Sequence, residues 1–243
     1  MKPTSEFWIE QCGNPAPSVK EQLVILTARE VAKVGVTAFN AKDVCDLVGA
    51  KYPMINYYFG SRDGLLLAAS LWVNDQWIRA VRGALSTKPT EAMKQLKAIC
   101  KAEVAFGKEW GAMALLAANP SLVGSASEDL ESEEGDTARD RREANTELYL
   151  GILTKLIHDA RKGKKSLVEY RRNRVPIDDL KTHPLSYMAA TNMAWSIRGL
   201  VAWFAGPHDG DWGIENPSGT PITEQYMAKQ HIKRILKATQ FDV

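Results

Sequence analysis

The chain has 243 residues, enough for one large domain or for a small domain joined to a larger one. Its 45% hydrophobic and 25% charged residues are those of a folded globular protein and exclude wholesale disorder. The formal net charge of +2 excludes bulk attraction to nucleic acid, and over residues 1–66 seven Lys and Arg meet seven Asp and Glu, so any such affinity rests on local placement.

Cys12, Cys45 and Cys100 are odd in number and form no C-x-x-C pair, which fits neither a disulfide framework nor a zinc site. Reduced thiols, no metal and no cofactor are therefore expected. The longest apolar runs, AMALLAA at 112–118 and GLVAWFAG at 199–206, are too short to span a bilayer. The opening MKPTSEFWIEQCG is interrupted by Glu6 and Glu10 and carries no cleavage signal. The expectation is a cytoplasmic protein without a membrane partner.

In chain order the periodicity is helical, and the expected fold class is all-α. Val24, Ala28, Val31 and Ala32 share one face of a helix over 19–34 that Gly35 ends. Asn40 caps a second helix, answered by Asp43, with Val44, Leu47 and Val48 as its apolar stripe and Gly49 as its stop. Pro53 suits the first turn of a short third helix that ends at Gly60. Ser61 caps a fourth that runs to about Ala84. Thr90 opens a helix divided by Gly107 or Gly111, and another covers 138–162. The last two lie at 185–205 and 222–240. The acidic stretch at 128–136, the basic connection from Arg161 to Arg174 and the Gly- and Pro-rich segment at 206–221 read as loops. No strand-like alternation is present.

Two helices joined at a tight Gly turn, the second short, form a helix-turn-helix, whose second helix presents side chains to the major groove. Val44, Leu47, Val48 and Ile55 would face inward, leaving Lys51, Tyr52, Asn56 and Tyr57 outward. Lys can donate to guanine O6 or N7, Asn can pair with adenine, and Tyr rings can meet thymine methyls or phosphate. Arg62 and Lys42, each at a helix start, are candidate phosphate contacts. The same rings could instead seal the short helices onto the fourth, a reading that suits Phe59 and leaves Tyr58 open.

The stretch AREVAKVGVTAFNAKDVCDLVGAKYPMINYYFGSRDGLL resembles the N-terminal DNA-binding domain of the TetR family of one-component transcriptional regulators. Gly35, Asn40, Gly49, Phe59, Ser61, Leu65 and Leu66 match the family pattern. Asn56 stands where Tyr is commoner, and Arg62 replaces Lys while keeping its charge. The resemblance implies a DNA-binding domain over 1–67, including an N-terminal arm, and a ligand-binding and dimerisation domain over 68–243. It implies a homodimer built on the last two helices, a double-stranded, pseudo-palindromic DNA operator, and a repressor released by a small-molecule effector.

The remaining sequence allows the same organisation. Residues 185–205 are apolar on almost every side, with Arg198 their sole charge, and the small Ala189, Ala190, Ser196 and Gly199 suit close helix packing across a symmetric interface. Trp77, Phe106, Trp110, Met113, Tyr149, Leu153, Met188, Asn192 and Trp195 are candidate lining for an apolar or aromatic ligand, and each also reads as ordinary core. His158, His183, His208 and His231 are dispersed and no catalytic motif appears, so no enzyme and no catalytic residue is expected. The alternative is an all-α small-molecule-binding protein or enzyme without regulatory DNA binding.

Overall fold

Helix starts and stops are set by groups within a few residues of one another. Ser18 and Glu21 form a reciprocal cap: the Glu21 N–H donates to Ser18 Oγ (3.2 Å) and the Ser18 N–H donates to Glu21 Oε2 (2.7 Å). Asn40 Oδ1 accepts from the Lys42 N–H (3.1 Å) and Ser61 Oγ from the Gly64 N–H (3.0 Å). The computed structural model describes residues 3–119, 138–166, 183–204, 211–215, 218 and 221–239. The expected acidic loop at 128–136, most of the basic connection, part of the 206–221 segment and His208 lie outside them.

Among the described residues the fold is all-α, with helices α1 (Ser5–Cys12), α2 (Val19–Ala38), α3 (Ala41–Val48), α4 (Pro53–Phe59), α5 (Arg62–Gly83), α6 (Ala92–Ala118), α7 (Ala138–Arg161), α8 (Pro184–Phe204) and α9 (Glu224–Ala238). The backbone leaves helical geometry at Gly35 in α2 and at Gly111 in α6, so Gly111 is the expected divider. Two departures from expectation stand out. The N-terminal arm holds a helix, α1, that was not expected: Thr4 caps it, Gly13 closes it, and it buries Trp8. Two short antiparallel pairs also occur, β1 (Thr90–Glu91) with β2 (Lys165–Ser166) and β3 (Asp211–Glu215) with β4 (Pro221–Thr223). Such short strands leave no alternation to read.

The chain divides into two compact units, one of Met1–Gln76 with Glu109–Arg142 and one of Trp77–Lys108 with Glu143–Val243. The division differs from a boundary at 67, and Arg29 supplies the reason for the first unit. Its Nε donates to Gln11 Oε1 (2.8 Å), its Nη1 to Glu109 Oε1 (3.1 Å), and its guanidinium lies over the Trp110 ring at 4.1 Å. Trp110 in turn meets Trp72 edge-on at 5.5 Å. The second unit is a helical core in which Leu96, Ile99 and Cys100 of α6 share burial with Ile152, Leu153, Leu156 and Ile157 of α7. Ala190, Met193, Ala194 and Ile197 of α8 and Ile232 and Ile235 of α9 complete it. Each fully buried aliphatic side chain contributes about 1.5–3 kcal/mol.

In the first unit α4 meets α5 at a point where a side chain has no room. A Cβ on Gly64 would lie 1.9 Å from the Phe59 carbonyl oxygen, so the last turn of α4 would have to move. Gly64→Ala is expected to cost about 1–3 kcal/mol, the range for overpacking. Urea unfolding of the two proteins measures it, and an unchanged midpoint would show that the approach is not obligatory.

Candidate functional site

Helix α3 ends at Gly49, which adopts a left-handed conformation (φ 79°, ψ 24°) that a side chain would disfavour. The N–H groups of Gly49 and Ala50 both donate to the Cys45 carbonyl at 2.9 Å, which closes the turn tightly. The chain restarts at once: the Lys51 and Tyr52 carbonyls accept from Met54 and Ile55 at 2.9 Å, and Pro53 occupies the first turn without forfeiting a hydrogen bond. Val44, Cys45 and Ile55 are buried beneath this corner with Phe39, Leu65 and Leu66.

That burial fixes what α4 shows to solvent. Lys51 and Asn56 are exposed, Tyr52 is 45% exposed and Tyr57 81%. Tyr58 and Phe59 are half-buried, and the three rings run edge to face, Tyr57–Tyr58 at 5.0 Å and Tyr58–Phe59 at 6.1 Å. Lys42 is exposed at the start of α3. The structure therefore brings Lys42, Lys51, Tyr52, Asn56 and Tyr57 onto the solvent side of one helix pair.

Arg62 has a different employment. Its Nη2 donates to the Val36 carbonyl (2.9 Å) and more loosely to that of Phe39 (3.4 Å), its Nη1 reaches Asp63 (3.5 Å), and the guanidinium lies 5.3 Å from the Phe39 ring centroid. It clamps the end of α2 to the start of α5. Beside the phosphate contact expected of it, Arg62 thus has a positioning role, because carbonyls at the C-terminal end of α2 accept from its Nη2.

The nine residues expected to line a ligand cavity are not gathered together. Trp110 and Met113 are buried in the first unit. In the second, Trp77 and Tyr149 meet edge-on at 4.8 Å, and Phe106 and Leu153 are buried. Met188 (57% exposed), Trp195 (69%) and Asn192 face outward, away from the Trp77–Tyr149 pair, and Met188 and Asn192 border a separate hollow beside α9. The cause is the helical period: Ala190, Met193, Ala194 and Ile197 turn to the core, so Met188, Asn192 and Trp195 fall on the opposite side.

Glu103 was not anticipated. It is 3% exposed, and Oε1 together with the Tyr149 hydroxyl lacks a protein hydrogen-bond partner of good geometry. Burial pushes its carboxyl up to about 7, partly offset by the nearby Tyr149, Trp77 and Arg198. Burial and the Glu103 charge also hold the Tyr149 phenol well above its ordinary value. The signal lay in the apolar stripe of α6, where Glu103 follows Leu96, Ile99 and Cys100 at helical spacing.

His158 and His183, distant in sequence, stack at 3.8 Å, and burial, then His183 and Lys162, lower the His158 pKa. Among the described residues no three His, Cys, Asp or Glu are placed to hold a metal ion, and no helix is long and apolar enough to cross a membrane.

No family model and no curated protein matches the chain. Among solved structures it is similar to a protein assigned to the TetR family of transcriptional regulators, from Rhodococcus sp.. Identity is 18%, the match covers 90% of this chain and 95% of that one, and the TM-score is 0.48.

Glu103 makes stability depend on pH. Its carboxyl holds a proton in the folded chain up to about pH 7 but loses it near pH 4.5 when unfolded, so stability falls as pH rises through that window. Glu103→Gln removes this slope. Relative to the parent it should gain about 3 kcal/mol between pH 4 and pH 8, following the size of the shift. Chemical denaturation at the two pH values measures this, and parallel pH profiles would remove Glu103 as the cause.

Proposed function

We propose that the chain is a DNA-binding transcriptional regulator of the TetR kind, a repressor that an apolar or aromatic small molecule releases from its operator. The observation that carries the reading is the α3–α4 corner, where α4 buries Ile55 and exposes Asn56 and Tyr57 while the turn before it exposes Lys51 and Tyr52. A donor, an amide and two phenols on one turn and short helix suit the edges and backbone of a major groove. Asn56 and Lys51 are assigned to base discrimination, Tyr52, Tyr57 and Lys42 to backbone and methyl contacts, and Arg62 to holding the helices that present them. The effector is assigned to the second unit, among the aromatic and apolar side chains Trp77, Phe106, Tyr149 and Leu153, which are packed in its interior in this structure. Acting on DNA places the protein in the cytoplasm.

One helix-turn-helix reads too few bases for specific affinity, so the reading requires a homodimer on a pseudo-palindromic operator. Helix α8 offers the surface for it. Leu185, Met188, Asn192, Trp195 and Gly199 are exposed at alternating spacings of three and four, the repeat of a helix seam. Beside them a hollow of about 150 Å³ opens between α8 and α9, with Met188, Asn192, Ile235 and Ala238 in its wall. A large exposed Trp195 beside a hollow on the same face suits self-association about a two-fold axis.

Two experiments test these assignments. Across a panel of operator variants, Asn56→Ala should cost about 1–3 kcal/mol at one base position and relax preference there, while Lys42→Ala should weaken all sequences alike and lower the salt slope by about one. Uniform weakening by Asn56→Ala would break the assignment. Trp195→Asp should shift sedimentation of the folded protein from dimer to monomer, and a dimer that persisted would place the interface elsewhere.

A further inference from the structure

We propose that the first unit carries a small-molecule site of its own, a cleft against α2, α4 and α5 suited to a flat aromatic monoanion. Two hollows of about 500 and 590 Å³ share Lys20, Val24, Tyr58 and Trp72 in their walls and so form one two-lobed cleft. Each lobe falls within the roughly 300–1,000 Å³ of small-molecule pockets. Its residues belong to a different compact unit from those assigned to the effector.

The walls select the ligand. Val24, Leu71, Trp72 and Tyr58 supply aliphatic and aromatic surface. Both rings are braced before anything binds, Trp72 by Trp110 at 5.5 Å and Tyr58 by Tyr57 at 5.0 Å and Phe59 at 6.1 Å. A wall already ordered costs little further entropy on binding, which favours a rigid, flat occupant. The charged groups then set its sign. The two acids are committed: Asp75 accepts from Arg141 Nη2 (2.5 Å), and Glu21 Oε2 accepts from the Ser18 N–H (2.7 Å) and hydroxyl (2.8 Å). The two cations, Lys20 and Arg141, carry three and five N–H donors, so each can add a bond to an anion while keeping those it has. A single acidic group at that rim, with a ring system lying along Trp72 and Tyr58, satisfies both features.

Occupancy would press on Tyr58, whose ring abuts the exposed Tyr57. That consequence for DNA rests on the function proposed above, whereas binding itself does not.

The test uses the full chain without DNA and 8-anilinonaphthalene-1-sulfonate, a fluorescent aromatic monoanion, beside the uncharged N-phenyl-1-naphthylamine. Hydrogen exchange with the sulfonate present should protect segments 18–26, 56–60 and 64–75. Ala68→Phe, which fills the cleft, should weaken the sulfonate at least about tenfold, a loss of about 1.4 kcal/mol. Lys20→Met should weaken the sulfonate by about tenfold, the worth of one charged hydrogen bond, and leave the neutral amine within about twofold. Circular dichroism checks that each variant is folded. If Ala68→Phe does not fold, the Lys20→Met comparison decides alone. Protection confined to the second unit, or equal losses for both probes in Lys20→Met, overturns the site. Because no DNA is present, failure here leaves the operator reading standing, and failure of operator binding leaves the site standing.

Discussion

A helix of seven residues cannot stand by itself, because the first turn fixes several residues for a single hydrogen bond and little length remains to repay that cost. Helix α4 is such a helix, and its orientation is therefore dictated from outside. The Gly49 turn delivers it from α3, Ile55 anchors it in the core, and the missing Cβ of Gly64 lets α5 run directly beneath the Phe59 carbonyl. Arg62 then ties the start of α5 to the carbonyls at the end of α2. The outward set of side chains follows from this arrangement: once Ile55 points in, the helical period leaves Asn56 and Tyr57 no direction but outward. A change at Gly64 or Arg62 would thus reach the exposed side of α4 without touching it.

The second unit is governed by the opposite problem, a polar group with too little around it. Glu103 sits where its helix would place an apolar residue, and burial disfavours its charged form more strongly than Tyr149, Trp77 and Arg198 favour it. A leucine there would remove that penalty. The carboxyl makes the core sensitive to any proton that reaches it.

How much of this could be read from the sequence depends on how far away each partner lies. The Asn40 cap, the Gly49 stop, Pro53 and the Ser61 cap were legible because each acts on groups within about three residues. The positioning role of Arg62 was not legible because its acceptors are 26 and 23 residues distant. Arg29 passed unnoticed for the same reason, with Gln11 and Glu109 lying 18 and 80 residues away. In α8 the sequence is apolar on almost every side, so its periodicity could not say which face the core covers. The small residues Ala190 and Ala194 turned inward and the large Trp195 outward, against the habit of reading size as depth. Helix α1 was overlooked although Thr4 and Gly13 bracket it, because eight residues give a weak periodic signal.

Distance also bounds what a ligand can do. A bound molecule shifts an equilibrium only by the difference in its affinity for the two states, however tightly it binds either. An occupant of the cleft in the first unit shares a wall residue, Tyr58, with the helix that presents Asn56 and Tyr57. On the proposed reading a displacement of that ring would reach the exposed Tyr57 through one edge-to-face pair. Linkage makes the effect reciprocal: whatever factor such a molecule removes from DNA affinity, DNA must remove from the molecule's own. On the proposed reading a ligand in the second unit has no such shared residue and would act by selecting among whole arrangements of the proposed dimer. The two routes would then differ in kind, since the first would need one copy of the chain and persist in a Trp195→Asp monomer, whereas the second would exist only in a dimer.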